Sequence, residues 1–227
     1  RLLFFLLNRA NFPNAPWTAF AGGLRFDLSA IGWLYAPWIL LVLLSPEERP
    51  RWWKVFARSL FHLSNAACFF LNCVDLEYYK FTLKRSTADL FNIATSGGDL
   101  GALAPVFVRD YWYVVIIFAA SILLADRAYR WAQRRWPAQE VRPWWAWRVV
   151  AFVLVLIAGR GGLQYMPLAV LDAANYAPPA YAPLVLNSPF TVMTSIGKPV
   201  VRRMDLMPQD QADRIWPVHH RYGERAL

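Results

Sequence analysis

The residues with chemistry to offer lie at the edges of apolar runs or in the loops between them: Arg25, Asp27, Lys84, Arg85, Asp89, Asp99, Arg160, Gln164 and Asn187. Arg25, Lys84, Arg85 and Arg160 are cations suited to an anionic lipid head group. A charge held near the end of a membrane helix must be paired or face water. The competing reading for any one of them is therefore mutual salt-bridging that fixes helix packing, with Asp27, Asp75 and Glu77 as the nearby acids. Neither reading is catalysis, for no nucleophile and base stand at a recognisable spacing.

Other chemistry has less support. His62 lies inside an apolar run, where packing against a neighbouring helix is the expected role. His219-His220 reads as a solvent-exposed pair, because no carboxylate or cysteine cluster accompanies it. No metal site follows. Cys68 and Cys73 share one apolar run at a spacing that faces them apart, so buried free thiols are expected. Gly97-Gly98 and Gly161-Gly162 lack the motif of a phosphate-binding loop. The net charge of +9 does not point to nucleic acid, since the basic residues cluster in short loops that flank apolar runs.

The elements that must position these residues are membrane helices. Of the 227 residues, 57% are hydrophobic, against roughly 45–50% in a soluble domain. Twelve Trp and ten Tyr suit the aromatic belts of a multi-pass protein. A span needs about 20 apolar residues, fewer when its ends are interfacial. Leu28–Leu44, interrupted by Pro37, Val55–Val74, Tyr111–Ala125 and Trp144–Gly159 meet this loosely. The opening Leu2–Leu7 reads as the end of a truncated first span. The expected fold is an all-α membrane protein: a multi-pass helical bundle of four spans plus that stub, with short extracytoplasmic surface helices. Residues 1–162 form the transmembrane domain and 163–227 a linker.

Charge sets the orientation. Arg49, Arg51, Lys54 and Arg58 flank one loop, and Arg127, Arg130, Arg134, Arg135, Arg142 and Arg148 another. The opposite loops carry cations offset by Asp27, Asp75, Glu77, Asp89 and Asp99. The positive-inside rule places the two basic loops in the cytoplasm. Asp75–Arg109 and everything beyond Arg160 then lie outside it.

Two exterior stretches carry helix signals. Ser86-Thr87-Ala88-Asp89 has the form of a capping box, ahead of a helix that stops at Gly97-Gly98; Asp99 then caps a second turn. That helix lies on the membrane surface or packs on the spans. Further on, Ser188-Pro189 predicts the start of a short helix over Phe190–Ile196.

Three segments, GLRFDLSA (Gly23–Ala30), KRSTADLF with SGGD (Lys84–Asp99), and RGGLQYMPL with PLVLNSPFT (Arg160–Thr191), occur in an order and on a predicted side that resemble the N-terminal membrane domain of lipoteichoic acid synthase-like sulfatase-family proteins. These are phosphoglycerol and phosphoethanolamine transferases of the alkaline phosphatase superfamily, found in bacterial cytoplasmic membranes. The resemblance implies a five-span anchor and a linker leading to an extracytoplasmic catalytic domain absent from this chain. That domain would carry a divalent metal (Mn, Zn or Mg) and a threonine nucleophile, which forms a covalent phospho-enzyme. No catalytic residue carries over, and no cofactor is expected within the chain. The implied partners are membrane lipids and the catalytic domain. Different readings are a small transporter or channel, which calls for ionisable residues in mid-span and internal symmetry, and a non-catalytic membrane scaffold.

Overall fold

A computed structural model describes residues 1–45, 50–91, 100–135 and 145–198, together with 211, 214 and 215; for 100–104 it gives the backbone alone. The fold is all-α, with no strand among the described residues. Helix α1 spans Leu2–Leu7, α2 Trp17–Leu34, α3 Ala36–Leu43, α4 Arg51–Thr82, α5 Leu100–Asp110, α6 Trp112–Arg135 and α7 Trp145–Arg160. Two short 3-10 turns, Val170–Asn175 and Pro179–Tyr181, lead into α8 (Ala182–Val185) and α9 (Ser188–Ser195). One compact unit covers Arg1–Ile196 and a second covers Gly197–Leu227, of which only residues 197, 198, 211, 214 and 215 are described.

Prolines mark the helix starts. Pro16 and Pro50 stand in extended conformation immediately before α2 and α4, where a fixed φ and a missing N–H cost the helix nothing. Pro37 falls in the first turn of α3. It does not merely kink one long span: the chain breaks at Tyr35, and α2 and α3 are bent by 60°. Helix α2 also begins eleven residues before the expected Leu28, so Arg25 and Asp27 stand on the helix and not ahead of it.

Helix α6 alone is long and apolar enough to cross a membrane, and the bent α2–α3 pair passes the same test as one broken span, among the described residues. Helix α4 packs on α6, and α2 on α7, while α3 touches α4 and α7 and α9 touches α2 and α4. The buried core is gathered at one end of this bundle. Phe26 and Ala30 of α2 and Leu76 and Tyr79 of α4 meet Phe4, Phe12, Leu184, Val185 and Phe190 there. Phe12 stacks on Tyr79 at 5.4 Å, and Phe26 meets Phe190 edge to face at 5.0 Å. Helix α6, by contrast, has no buried residue. Between the two ends, helices touch through small residues. A Cβ on Gly32 would lie 2.6 Å from the backbone nitrogen of Gly159 on α7. The carbonyl of Gly159 accepts from Ser29 Oγ (2.6 Å) and Trp33 Nε1 (2.9 Å). Such backbone approach with hydrogen bonds across the contact is how helices associate where apolar burial offers little drive.

Candidate functional site

The polar groups of the core end form three carboxylate- or guanidinium-centred knots, and each ties the segment after α7 to the bundle. The first is centred on Asp75, near the end of α4 and wholly buried. Helix α4 closes on Leu83 in left-handed conformation (φ 53°), whose N–H donates to Tyr79 O at 2.8 Å. That turn swings the following residues back under the helix end. Ser86 N then donates to Asp75 Oδ1 at 2.9 Å, and Ser86 Oγ donates to the same oxygen. Ser188 Oγ, at the start of α9, donates to Oδ2, and Arg85 Nη1 lies 3.4 Å from it.

Arg85 is itself 5% exposed. Its Nε donates to Pro183 O at 2.8 Å, and its guanidinium lies 3.5 Å above the centre of the Phe4 ring. A cation removed from water is thus met by a carboxylate, a carbonyl and a π face. Burial pulls the guanidinium down to about 10, with Asp75 opposing the shift and Arg1 reinforcing it. It stays charged at neutral pH. Thr191 adds a further tie, its hydroxyl donating to Ser86 O at 2.7 Å.

The second knot is centred on Asp27 of α2. Its Oδ1 accepts from Arg1 Nη2 at 2.6 Å and from Asn187 Nδ2 at 2.7 Å. The Arg1 guanidinium also donates to the carbonyls of Gly23 and Val185, each at 2.7 Å. Asn187 turns its other face to the helix that follows: Oδ1 accepts from Phe190 N at 2.8 Å, so Asn187 is the N-cap of α9. The sequence pointed to Ser188 for that place, one residue later, but Ser188 serves Asp75. Ser86 was likewise expected to cap a helix, and its hydroxyl is spent on Asp75. In both cases the hydroxyl donates its proton to a buried carboxylate, whose desolvation must be offset.

The third knot holds the exit from α7. Gly161 and Gly162 take positive φ (82° and 131°), a conformation open to glycine. Arg25 Nε donates to Gly161 O at 2.5 Å, Nη1 to the Tyr176 hydroxyl at 2.9 Å, and Nη2 to Gln164 Oε1. Arg160, which is exposed, braces the same turn through the carbonyls of Gln164 and Tyr165. Replacing Arg25 by Ala removes all three charged hydrogen bonds and is expected to cost about 2 kcal/mol. Unfolding in detergent and faster proteolytic cleavage within residues 161–166 would register it.

Of the candidate residues, Arg25, Asp27, Arg85, Gln164 and Asn187 are thus joined to the segment after α7, with Arg160 at the surface beside them. Lys84 is exposed, and Asp89 accepts a hydrogen bond from Thr87 Oγ1 at 3.3 Å. Asp99, the stop at Gly97-Gly98 and His219-His220 lie outside the described residues. Asp75, expected as a salt-bridging acid, centres the first knot, while Ser86, Ser188, Thr191 and Arg1 were not among the candidate residues. An acid just inside the end of an apolar run was the available signal for Asp75; nothing local to Ser188 or Arg1 announces partners more than a hundred residues away.

Between the first two knots lies a cavity of about 370 Å³. Arg1, Asp27, Arg85, Asn187 and Asn72 line its polar side, and Leu3, Ile31, Phe69 and Ile117 its apolar side. His62 of α4 and Asp126 of α6 meet at 3.3 Å, the helix-packing role expected of that histidine. Cys73 is buried and Cys68 half-buried, both as free thiols. Comparison of the chain with protein-family models, with curated proteins and with solved structures finds no match.

Proposed function

We propose that this chain is the membrane-anchor and linker portion of a lipoteichoic acid synthase-like phosphoglycerol or phosphoethanolamine transferase, acting on lipid head groups at the outer face of a bacterial membrane. In this reading the bundle is multi-pass, the knotted end is extracytoplasmic, and the linker seated there presents a metal-dependent catalytic domain to the bilayer. The observation that carries it is the burial of LNSPFT, Leu186–Thr191, every residue of which is buried against the bundle. A tether whose only task was to connect two bodies would be mobile and solvated. A segment held by carboxylates on two different helices, Asp75 wholly buried and Asp27 partly so, fixes the height and direction of whatever it carries. That is what an enzyme needs when its substrate is itself confined to a membrane surface.

Further support comes from the outward face of the bundle. Leu24, Leu28, Ile116, Leu123, Leu124, Leu154 and Leu156 are all more than half exposed, and exposed apolar faces of this kind mark membrane or partner contacts. The knots engage Arg25 and Arg85 as internal ties. Lys84, and Arg160 beside the turn that it braces, are the exposed candidate cations that a lipid head group would meet.

The test is Asn187→Ala in the full-length protein. It removes one Asp27 bond and the α9 cap, worth about 1 kcal/mol for the cap alone, while leaving the apolar spans untouched. Membrane insertion should be unchanged and head-group transfer from lipid to acceptor should fall severalfold. Transfer at the wild-type rate would overturn the proposed role.

A further inference from the structure

The opposite end of the bundle holds a second cavity, of about 400 Å³, between the start of α4, the end of α6 and α3. Its cations are Lys54, Arg58, Arg130 and Arg134. Asp126 is the acid paired with this set among the described residues: Arg58 Nη2 reaches Oδ1 at 2.8 Å, and Arg130 binds Oδ2. Lys54 and Arg134 hold no ion pair among the described residues. The cavity is therefore cationic in excess. One wall is apolar, made by Val42, Trp53 and Ala57. The indole N–H of Trp38, also in the lining, is buried with no acceptor. A buried donor without an acceptor is costly, so its position is explained if a ligand oxygen completes it.

We propose that this cavity binds the phosphate of an anionic phospholipid in the leaflet at that end of the bundle. Lys54 and Arg134 neutralise the phosphate, Trp38 Nε1 donates to one of its oxygens, and Val42 and Trp53 receive the start of an acyl chain. A free phosphate would satisfy the cations and the indole but leave the apolar wall uncovered, which is why a lipid is favoured. Basic pockets between helices are a recognised way of holding anionic lipid. The site lies apart from the knotted end, and it rests on the reading that the bundle spans a bilayer.

The experiment begins with insertion. Protein reconstituted in phosphatidylcholine vesicles should co-float with them after an alkaline carbonate wash; failure here overturns the membrane reading itself. Protein from vesicles of phosphatidylcholine mixed with phosphatidylglycerol is then extracted into mild detergent, and its bound lipids are counted by native mass spectrometry. Phosphatidylglycerol should be retained over phosphatidylcholine. Lys54→Gln with Arg134→Gln should cut that preference about thirtyfold, from about fivefold for each surface cation. Trp38→Phe, which keeps the ring and loses the donor, should cut it about fivefold. Both Lys54 and Arg134 are exposed, so their loss does not threaten folding. Arg9→Gln, at the other end, should leave the preference unchanged. Glu47 and Glu48, the acids nearest in sequence, lie outside the described residues; a wild-type protein with no anionic preference, its cations neutralised from within the chain, overturns the proposal. So does a preference that survives the double variant, or displacement of the lipid by inorganic phosphate at equal concentration.

Discussion

Asp75→Ala is expected to destabilise the folded bundle by about 3–5 kcal/mol, the usual cost of stripping the partner from a buried charge. The substitution leaves Arg85 at 5% exposure without its counter-ion. It also orphans Ser86 N and Ser86 Oγ, and leaves Ser188 Oγ only the longer contact to Asn72 Oδ1 at 3.5 Å. The loss should appear as a lowered midpoint in detergent unfolding. A cycle separates the charge from the packing. Asp75→Leu combined with Arg85→Met removes both members of the pair, and a buried pair replaced by apolar groups of similar volume is often close to neutral. The double variant should therefore lose much less than the sum of the single losses. Additive losses would show that Asp75 and Arg85 do not act as one unit.

Gly32→Val should be the next most damaging change, for a different reason. The first added carbon would sit 2.6 Å from Gly159 N, a backbone atom that cannot rotate away. Helices α2 and α7 must separate, and the Ser29 and Trp33 hydrogen bonds to Gly159 O lengthen with them. Overpacking of this kind costs about 1–3 kcal/mol, and the lost hydrogen bonds add about 1 kcal/mol each. The same substitution at Gly197, where an added carbon meets nothing within 4 Å, strains only a local turn and gives the comparison. An unfolding midpoint for Gly32→Val equal to that of the unsubstituted protein would mean the two helices are not in backbone contact.

The helices were legible in the sequence because apolar runs of span length say where a helix must be. Leu2–Leu7 and the cores of α4, α6 and α7 fall where expected. The error at α2 is instructive. Arg25 and Asp27 were read as marking the water side of a span, since a charge in a helix is costly without a partner. Their partners exist, but they come from Arg1, Gly161, Gln164, Tyr176 and Asn187, and no local pattern encodes them. Ser86 and Ser188 repeat the lesson. Each stands in a good capping position, and each is recruited by Asp75 from a distant or reversed segment of chain. Local propensity identified that these residues make hydrogen bonds; tertiary packing decided with whom.

Burial of LNSPFT could not be read from composition either. Residues 163–227 were expected as a linker, and the part from Val170 to Ser195 is built of two 3-10 turns and two short helices. What the sequence does not display is that this part fits the bundle end, with Leu184 and Val185 fully enclosed and Phe190 against Phe26. The proposed role depends on that fit.

Hydrogen exchange of the α9 amides, measured by mass spectrometry, tests the seated linker most directly. Peptides covering Leu186–Ser195 should exchange as slowly as those from the Leu71–Tyr79 part of α4, and Asp75→Ala should speed the first set by at least tenfold, consistent with the loss of more than about 1.4 kcal/mol. Exchange of Leu186–Ser195 at the rate of free chain in the unsubstituted protein would contradict the account.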